Sequence, residues 1–415
     1  MLFMSDSNQL VAHLFRHEAG RMVSVLATML GFDRIELAED IVQDAMVQAL
    51  RSWPFQGIPE HPSAWLYRVA KNKALDVIRR EKLFRQISGE LILESQVEQQ
   101  VERFFEEEEV IDSQLRMLFA CCHPSLPFES QVALCLKILC GLNAREIANA
   151  FLTNEETIAK RLYRAKEKIR SSEIRLEVPT GPQLPVRVAA VLKSIYLLFN
   201  EGYNSSHPNT LIRQDLCEEA MRLGFLLTQN PQTTTPAAHA LLALMCFQVA
   251  RFDARMNADG GIILVKDQDR TKWNRALITR GKQQLSQSAE GSELTEYHLE
   301  AIIALQHCMA PTYAATRWTD ILWYYDLLLL RKPSPVVALN RAVALAEVEG
   351  PKEALRAVLK IIELASNQYY HAILGDFYAQ LHQTDLARQH YNQAIHLTSS
   401  SAEKLLLQKK IGQLP

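Results

Sequence analysis

The sequence predicts an all-α protein of several domains, and three observations carry the prediction. Apolar residues recur at 3.6-residue spacing almost throughout the chain. The 15 glycines and 16 prolines each make up less than about 4% of the chain, under the usual roughly 7% and 5%. A length of 415 residues also exceeds what one hydrophobic core organises.

Composition narrows the setting. Seven cysteines, an odd number without regular spacing, fit a reducing compartment. The N-terminus MLFMSDSNQLVAH lacks the basic start and apolar run of a signal peptide, so a cytoplasmic protein is expected. The longest apolar run, from Ala237 to Ala250, is shorter than the roughly 20 residues of a membrane span and contains His239. It reads as a buried core helix, and no membrane association is expected.

Charge is balanced overall, with 45 basic against 47 acidic residues, but unevenly spread. In LAEDIVQDAMVQAL (Leu37 to Leu50), Leu37, Ile41 and Ala45 face inward at helical spacing and leave Glu39, Asp40, Gln43 and Asp44 on a polar face. In HPSAWLYRVAKNKALDVIRRE (His61 to Glu81), Trp65, Val69, Leu75 and Ile78 alternate with Arg68, Lys71, Asn72, Arg79 and Arg80. Aromatic rings beside cations suit single-stranded or distorted DNA, since stacking contributes roughly 1–3 kcal/mol per base. The following VEQQVERFFEEEEVID, with its run Glu106 to Glu109, reads as an acidic linker. Two readings of it stay open: a solvated surface, and a strand occupying a nucleic-acid channel of a partner.

Residues 141 to 170, GLNAREIANAFLTNEETIAKRLYRAKEKIR, predict a helix-turn-helix. Asn143 and Glu146 form a plausible capping box for a first helix to about Phe151. Asn154 can cap a second, from about Glu155 to Arg170. There Ile158, Leu162, Ala165 and Ile169 make one apolar stripe. The opposite face presents Thr157, Lys160, Arg161, Arg164 and Lys168, as a recognition helix does when its first turns meet base edges and its later cations grip phosphates. Glu155 and Glu156 complement the helix dipole.

VPTGPQLPVRV marks a boundary. Beyond it, Gly202 reads as the C′ residue of a helix end, and Asp259-Gly260-Gly261 before IILV reads as a small β-hairpin. YHAILGDFYAQLHQTDLARQHYNQAIHL sets Leu374, Gly375, Tyr378, Ala387, Tyr391 and Ala394 at the small and large positions of a tetratricopeptide repeat. Ala342, Leu345 and Ala354 repeat the pattern upstream.

No metal, cofactor or catalytic site is expected. Cys121, Cys122 and His123 are adjacent on a helix, so their side chains diverge by about 100° and no second ligand pair follows. Asp253, Asp259, Asp267 and Asp269 fit no calcium loop. No nucleophile–base arrangement or phosphate loop is present, so a non-enzyme is predicted.

AEDIVQDAM, PSAWLYRVAKNKALDVIRRE and CGLNAREIANAFLTNEETIAKRLYRAKEKI, in that order, closely resemble the extracytoplasmic-function sigma factors of bacterial RNA polymerase. FACCHP, YLLFNEGYNSS, DGGIILVKDQDRTKW and PSPVVALNRAVALAE extend the resemblance to the subgroup with a C-terminal tetratricopeptide-like extension. It implies sigma region 2 at 8–85, an acidic linker at 86–112, sigma region 4 at 113–172, a helical extension at 185–330 and tetratricopeptide-like repeats at 331–415. It assigns Asp40, Gln43 and Asp44 to the polymerase, whose β′ clamp helices and β flap are the implied partners. Trp65, Arg68, Lys71, Asn72, Arg79 and Arg80 go to the −10 element, and Thr157, Lys160, Arg161, Arg164 and Lys168 to the −35 duplex. Trp53 or Phe55 would approach a flipped −10 base. The extension is expected to contact and regulate the sigma part of the same chain. The alternatives are a free-standing helix-turn-helix regulator, favoured by a symmetric operator, and a tetratricopeptide scaffold.

Overall fold

The computed structural model describes residues 2–86, 102–151, 153–172, 174–204, 212–257, 261–291 and 293–415. Most of the linker expected at 86–112, and the turn of the expected hairpin at 258–260, lie outside them. The fold is all-α, with no strand among the described residues. The expected hairpin is reduced to a single antiparallel bridge between Met256 and Ile262. Among the described residues no third segment pairs with that bridge, and an isolated two-stranded ribbon has little stability in water. The chain divides into two compact units, 1–198 and 199–415.

Unit 1 opens with α1 (Leu2–Leu30), α2 (Ile35–Gln56) and α3 (Pro62–Gln86). Helix α1 packs on both others and on α4 (Glu107–Cys121). The core side of α2 is Ala38, Ile41, Val42, Ala45 and Ala49, at helical spacing. On α3, Leu66, Ala70, Ala74 and Leu75 are buried, while Trp65, Val69 and Ile78 are half-buried. Helices α5 (Phe128–Ile138), α6 (Ala144–Ala150) and α7 (Glu155–Ser171) complete this unit, together with the first part of α8 (Gln183–Tyr203).

Unit 2 begins within α8 and runs through α9 (Gln214–Gln229) and α10 (Pro236–Val249). Helix α10 is apolar enough to pass for a membrane span by composition, but Ala238 and Ala240 to Phe247 are all buried inside the unit. Thr235 caps it and Pro236 starts it, as those residue types favour. Gly202 does not end its helix: a Cβ there would lie 2.7 Å from Cys217 Sγ and 2.8 Å from Cys217 N. Close approach of α9, not a left-handed cap, requires glycine at that position.

The remaining helices are α11 (Arg275–Ser288), α12 (Glu296–Met309), α13 (Trp318–Arg331), α14 (Pro335–Glu349), α15 (Pro351–Val358), α16 (Gln368–Gln380), α17 (Thr384–Leu397) and α18 (Ser401–Gly412). From α12 onward each packs on the next. Ala342, Ala354 and Leu374 share one core, and Ala387, Tyr391 and Ala394 share another. Gly375 admits the Tyr391 ring, and Tyr378 stacks on His390 at 5.3 Å.

Candidate nucleic-acid and polymerase interface

Helices α6 and α7 and the turn between them form as their caps dictate. Asn143 N–H donates to Glu146 Oε2 at 2.8 Å, and Glu146 N–H donates back to Asn143 Oδ1 at 2.9 Å. Asn154 Oδ1 accepts from Thr157 N–H at 2.8 Å and starts α7. Ile158, Leu162, Ala165 and Ile169 are buried, and burial of a residue such as Ile or Leu is worth about 1.5–3 kcal/mol. Burying this stripe fixes the opposite face outward. Thr157, Lys160, Arg161, Arg164 and Lys168 line a groove of about 350 Å³ facing Pro127, Glu129 and Ser130 at the start of α5. Arg161 lies over the Phe151 ring at 5.2 Å, and Lys160 pairs with exposed Glu156 at 2.6 Å. The groove therefore has four cations, with Glu129 as the acid in its wall.

On α3, Arg68, Asn72, Arg79 and Arg80 are exposed. Trp65 makes an edge contact with Trp53, with ring centroids 5.5 Å apart. Trp53 is core, only 2% exposed, whereas Phe55 is 85% exposed. Of the two rings named for a flipped base, only Phe55 is accessible for stacking. Lys71 is engaged by Glu102 at 2.9 Å, and Phe105 meets the edge of Tyr67 at 5.9 Å. The described start of the acidic stretch thus lies on α3.

On α2, Asp40, Gln43 and Asp44 are exposed, and Asp44 pairs with Lys73 of α3 at 2.9 Å. Sequence reasoning put Glu39 on the polar face of α2 but missed its partner, and did not single out Glu36. Lys166 Nζ of α7 lies 2.5 Å from Glu39 Oε2, with the side chains 18% and 14% exposed, and Arg170 pairs with Glu36. Lys166 and Arg170 are four apart on one helix, and Glu36 and Glu39 three apart on another. That complementary spacing was the available signal. Two of the six cations of α7 thus face α2, and the other four line the groove.

The remaining candidates are structural. Cys121, Cys122 and Cys135 are buried, with Cys122 and Cys135 sulfurs 3.6 Å apart. Bonding to Cys135 and burial raise the Cys121 thiol, and burial raises that of Cys122. No cluster able to hold a metal ion occurs among the described residues.

Comparison with known proteins agrees with this geometry. The sigma-70 region 2 model matches residues 14–84, which span α1 to α3. A family of unknown function, DUF6596, matches residues 187–289. The uncharacterized protein R00370 of Rhizobium meliloti is 36% identical over 390 residues, covering 92% of this chain and 91% of that protein. The chain belongs to one family with that protein, and its own N-terminal part is a sigma-70 region 2. Sigma-factor similarity also appears in the RNA polymerase sigma factor SigV of Bacillus subtilis, 28% identical over 32% of this chain and 74% of that protein. A probable RNA polymerase sigma factor of Haemophilus influenzae is 23% identical over 34% of this chain and 79% of its own length. No solved structure matches the chain. The two sigma factors match about a third of this chain, whereas R00370 matches 92% of it.

Proposed function

We propose that the chain directs RNA polymerase to a set of promoters in the cytoplasm, with residues 8–85 acting as region 2 and 113–172 as region 4. The observation that carries this is the pairing, in one compact unit, of a region 2 with a capped helix-turn-helix whose outward groove is cationic. Asp40, Gln43 and Asp44 meet the polymerase. Trp65, Arg68, Lys71, Asn72, Arg79 and Arg80 handle the −10 strands, with Phe55 as a further stacking surface. Thr157, Lys160, Arg161, Arg164 and Lys168 read the −35 duplex, with Lys and Arg supplying phosphate contacts that position the helix. A neutral chain suits this role, because the polymerase supplies most of the nonspecific electrostatic attraction to DNA.

The test is reconstitution. Purified protein alone should not transcribe, and with bacterial core polymerase it should start RNA at a cognate promoter. Failure to bind core polymerase at low salt would overturn the reading. Asp40→Arg should weaken that binding while leaving the thermal midpoint unchanged, because Asp40 is exposed.

The second unit, with tetratricopeptide-like repeats at 331–415, regulates the sigma part in cis. Support comes from R00370, whose similarity runs through both units and keeps them in one chain. A truncation must respect α8, where Arg187 Nη1 donates to the Phe119 carbonyl at 3.3 Å and Val191 and Ile195 are buried. A chain ended after Asn204 should therefore fold yet give lower promoter output. Output equal to that of the full chain would exclude regulation in cis.

A further inference from the structure

Within unit 2, residues 261–267 run beside α14, α16 and α18, and Leu264 lines a cavity on either side. One cavity, of about 250 Å³, lies between Ile262 and Leu264 of this segment and Ile373, Leu406 and Leu407 of the helices. Its wall is mostly apolar, and its charged groups are matched with one exception. Lys410 Nζ donates to both Asp376 oxygens, at 2.6 and 2.8 Å. Glu403 accepts from Gln368 Nε2 at 2.9 Å, from the Tyr369 hydroxyl at 2.6 Å and from the Thr398 hydroxyl.

Arg255 is the exception. Its guanidinium lies 3.8 Å from the Tyr203 ring centroid and donates from Nη1 to the Tyr203 carbonyl at 2.7 Å. The ionisable groups acting on it are Tyr203, Arg251, Cys217 and Tyr369, and no carboxylate among the described residues pairs with it. A desolvated cation without a counter-ion is costly unless an anion joins it. Arginine presents a planar fork of N–H donors that matches a carboxylate.

The surroundings decide which anion. Lys410 is already neutralised by Asp376, and Glu403 adds negative charge to the wall, so among the described residues a phosphate bearing nearly two charges would meet one cation without a carboxylate partner and two carboxylates. A monoanion matches better. The apolar walls ask for an apolar body, and the volume, just below the usual roughly 300–1,000 Å³ of ligand sites, asks for a small one.

We propose that this cavity binds a small organic carboxylate with an apolar body, held at its charged end by Arg255. The binding does not depend on the promoter reading, and its test needs neither polymerase nor DNA.

The full chain is titrated calorimetrically and by thermal unfolding with octanoate and phenylacetate, and separately with octanamide, phenylacetamide and inorganic phosphate. The two acids should bind and raise the unfolding midpoint, while the amides and phosphate should not. Arg255→Gln should weaken acid binding about ten- to hundredfold, the effect of losing a charged hydrogen-bonded pair. Ala372→Phe, which fills the cavity with Arg255 intact, should weaken it as well and decides the matter if Arg255→Gln unfolds. Absence of acid binding, amides that bind as tightly as the acids, a response to phosphate alone, or full acid affinity in Ala372→Phe would each overturn the proposal.

Discussion

The Lys166–Glu39 pair should act as a latch between α7 and α2, and its strength can be bracketed from its burial. Exposed ion pairs contribute about 0.2–1 kcal/mol, and breaking a buried pair by removing one partner costs about 3–5 kcal/mol. With both side chains less than a fifth exposed, the pair lies between those limits, and truncating either partner should cost about 2 kcal/mol. The outer Arg170–Glu36 pair is half exposed, so it should add no more than about 0.5 kcal/mol. A loss of 2 kcal/mol shifts the balance between docked and released α7 about thirtyfold. The perturbation is Glu39→Ala, Lys166→Ala and the double variant. The assay is the distance between fluorophores on α2 and α7, read with stability in a double-mutant cycle. The singles should lengthen the distance, and the double should add little to either. Glu39→Lys with Lys166→Glu should restore much of the docked population. Additive singles, or distances indifferent to all of these changes, would refute the latch.

Three further outcomes are expected. Arg164→Ala should weaken −35 binding similarly across sequences and flatten its salt dependence, while Thr157→Ala should alter sequence preference, as a binding-site selection would read. Burial, with Arg251 and Arg270 nearby, lowers His307 from its usual 6.5 to about 3, so the unfolded chain takes up its proton first as pH falls. That stability contribution is complete above pH ~6.5 and is lost as pH falls towards 3, amounting to about 2 kcal/mol lost by pH ~5. His307→Leu should remove this part of the acid dependence in denaturant titrations. Gly375→Ala would bring a methyl within 2.5 Å of the Tyr391 ring, and should cost about 1–3 kcal/mol in the same assay.

The pair α6 and α7 was legible in the sequence because local chemistry determines it. Its Asn caps, apolar stripe and outward cations all lie within thirty consecutive residues, and each occupies the predicted place. On α3 the buried Ala70 and Ala74 were not singled out, because alanine gives little signal among larger apolar residues. Gly202 was misread because its cause, the approach of Cys217, lies fifteen residues away. The ties of Lys166 to Glu39 and of Arg255 to Tyr203 are tertiary; matched charge spacing on two helices was the one signal for the first, and no local pattern marks the second. The acidic run was visible as charge, but its seat on Lys71 was not.

Under the proposed function, that seat makes promoter melting an exchange reaction. A phosphate arriving at Lys71 must evict Glu102, so the strand is weighed against an anion the chain carries tethered at high effective concentration. Salt weakens both the incumbent and the newcomer, which makes the net binding at this residue less sensitive to ionic strength than a bare lysine would be. A strand therefore gains little from Lys71 alone. It must win on the neighbouring cations and rings together, so a duplex that only grazes α3 is rejected before one that has opened across it.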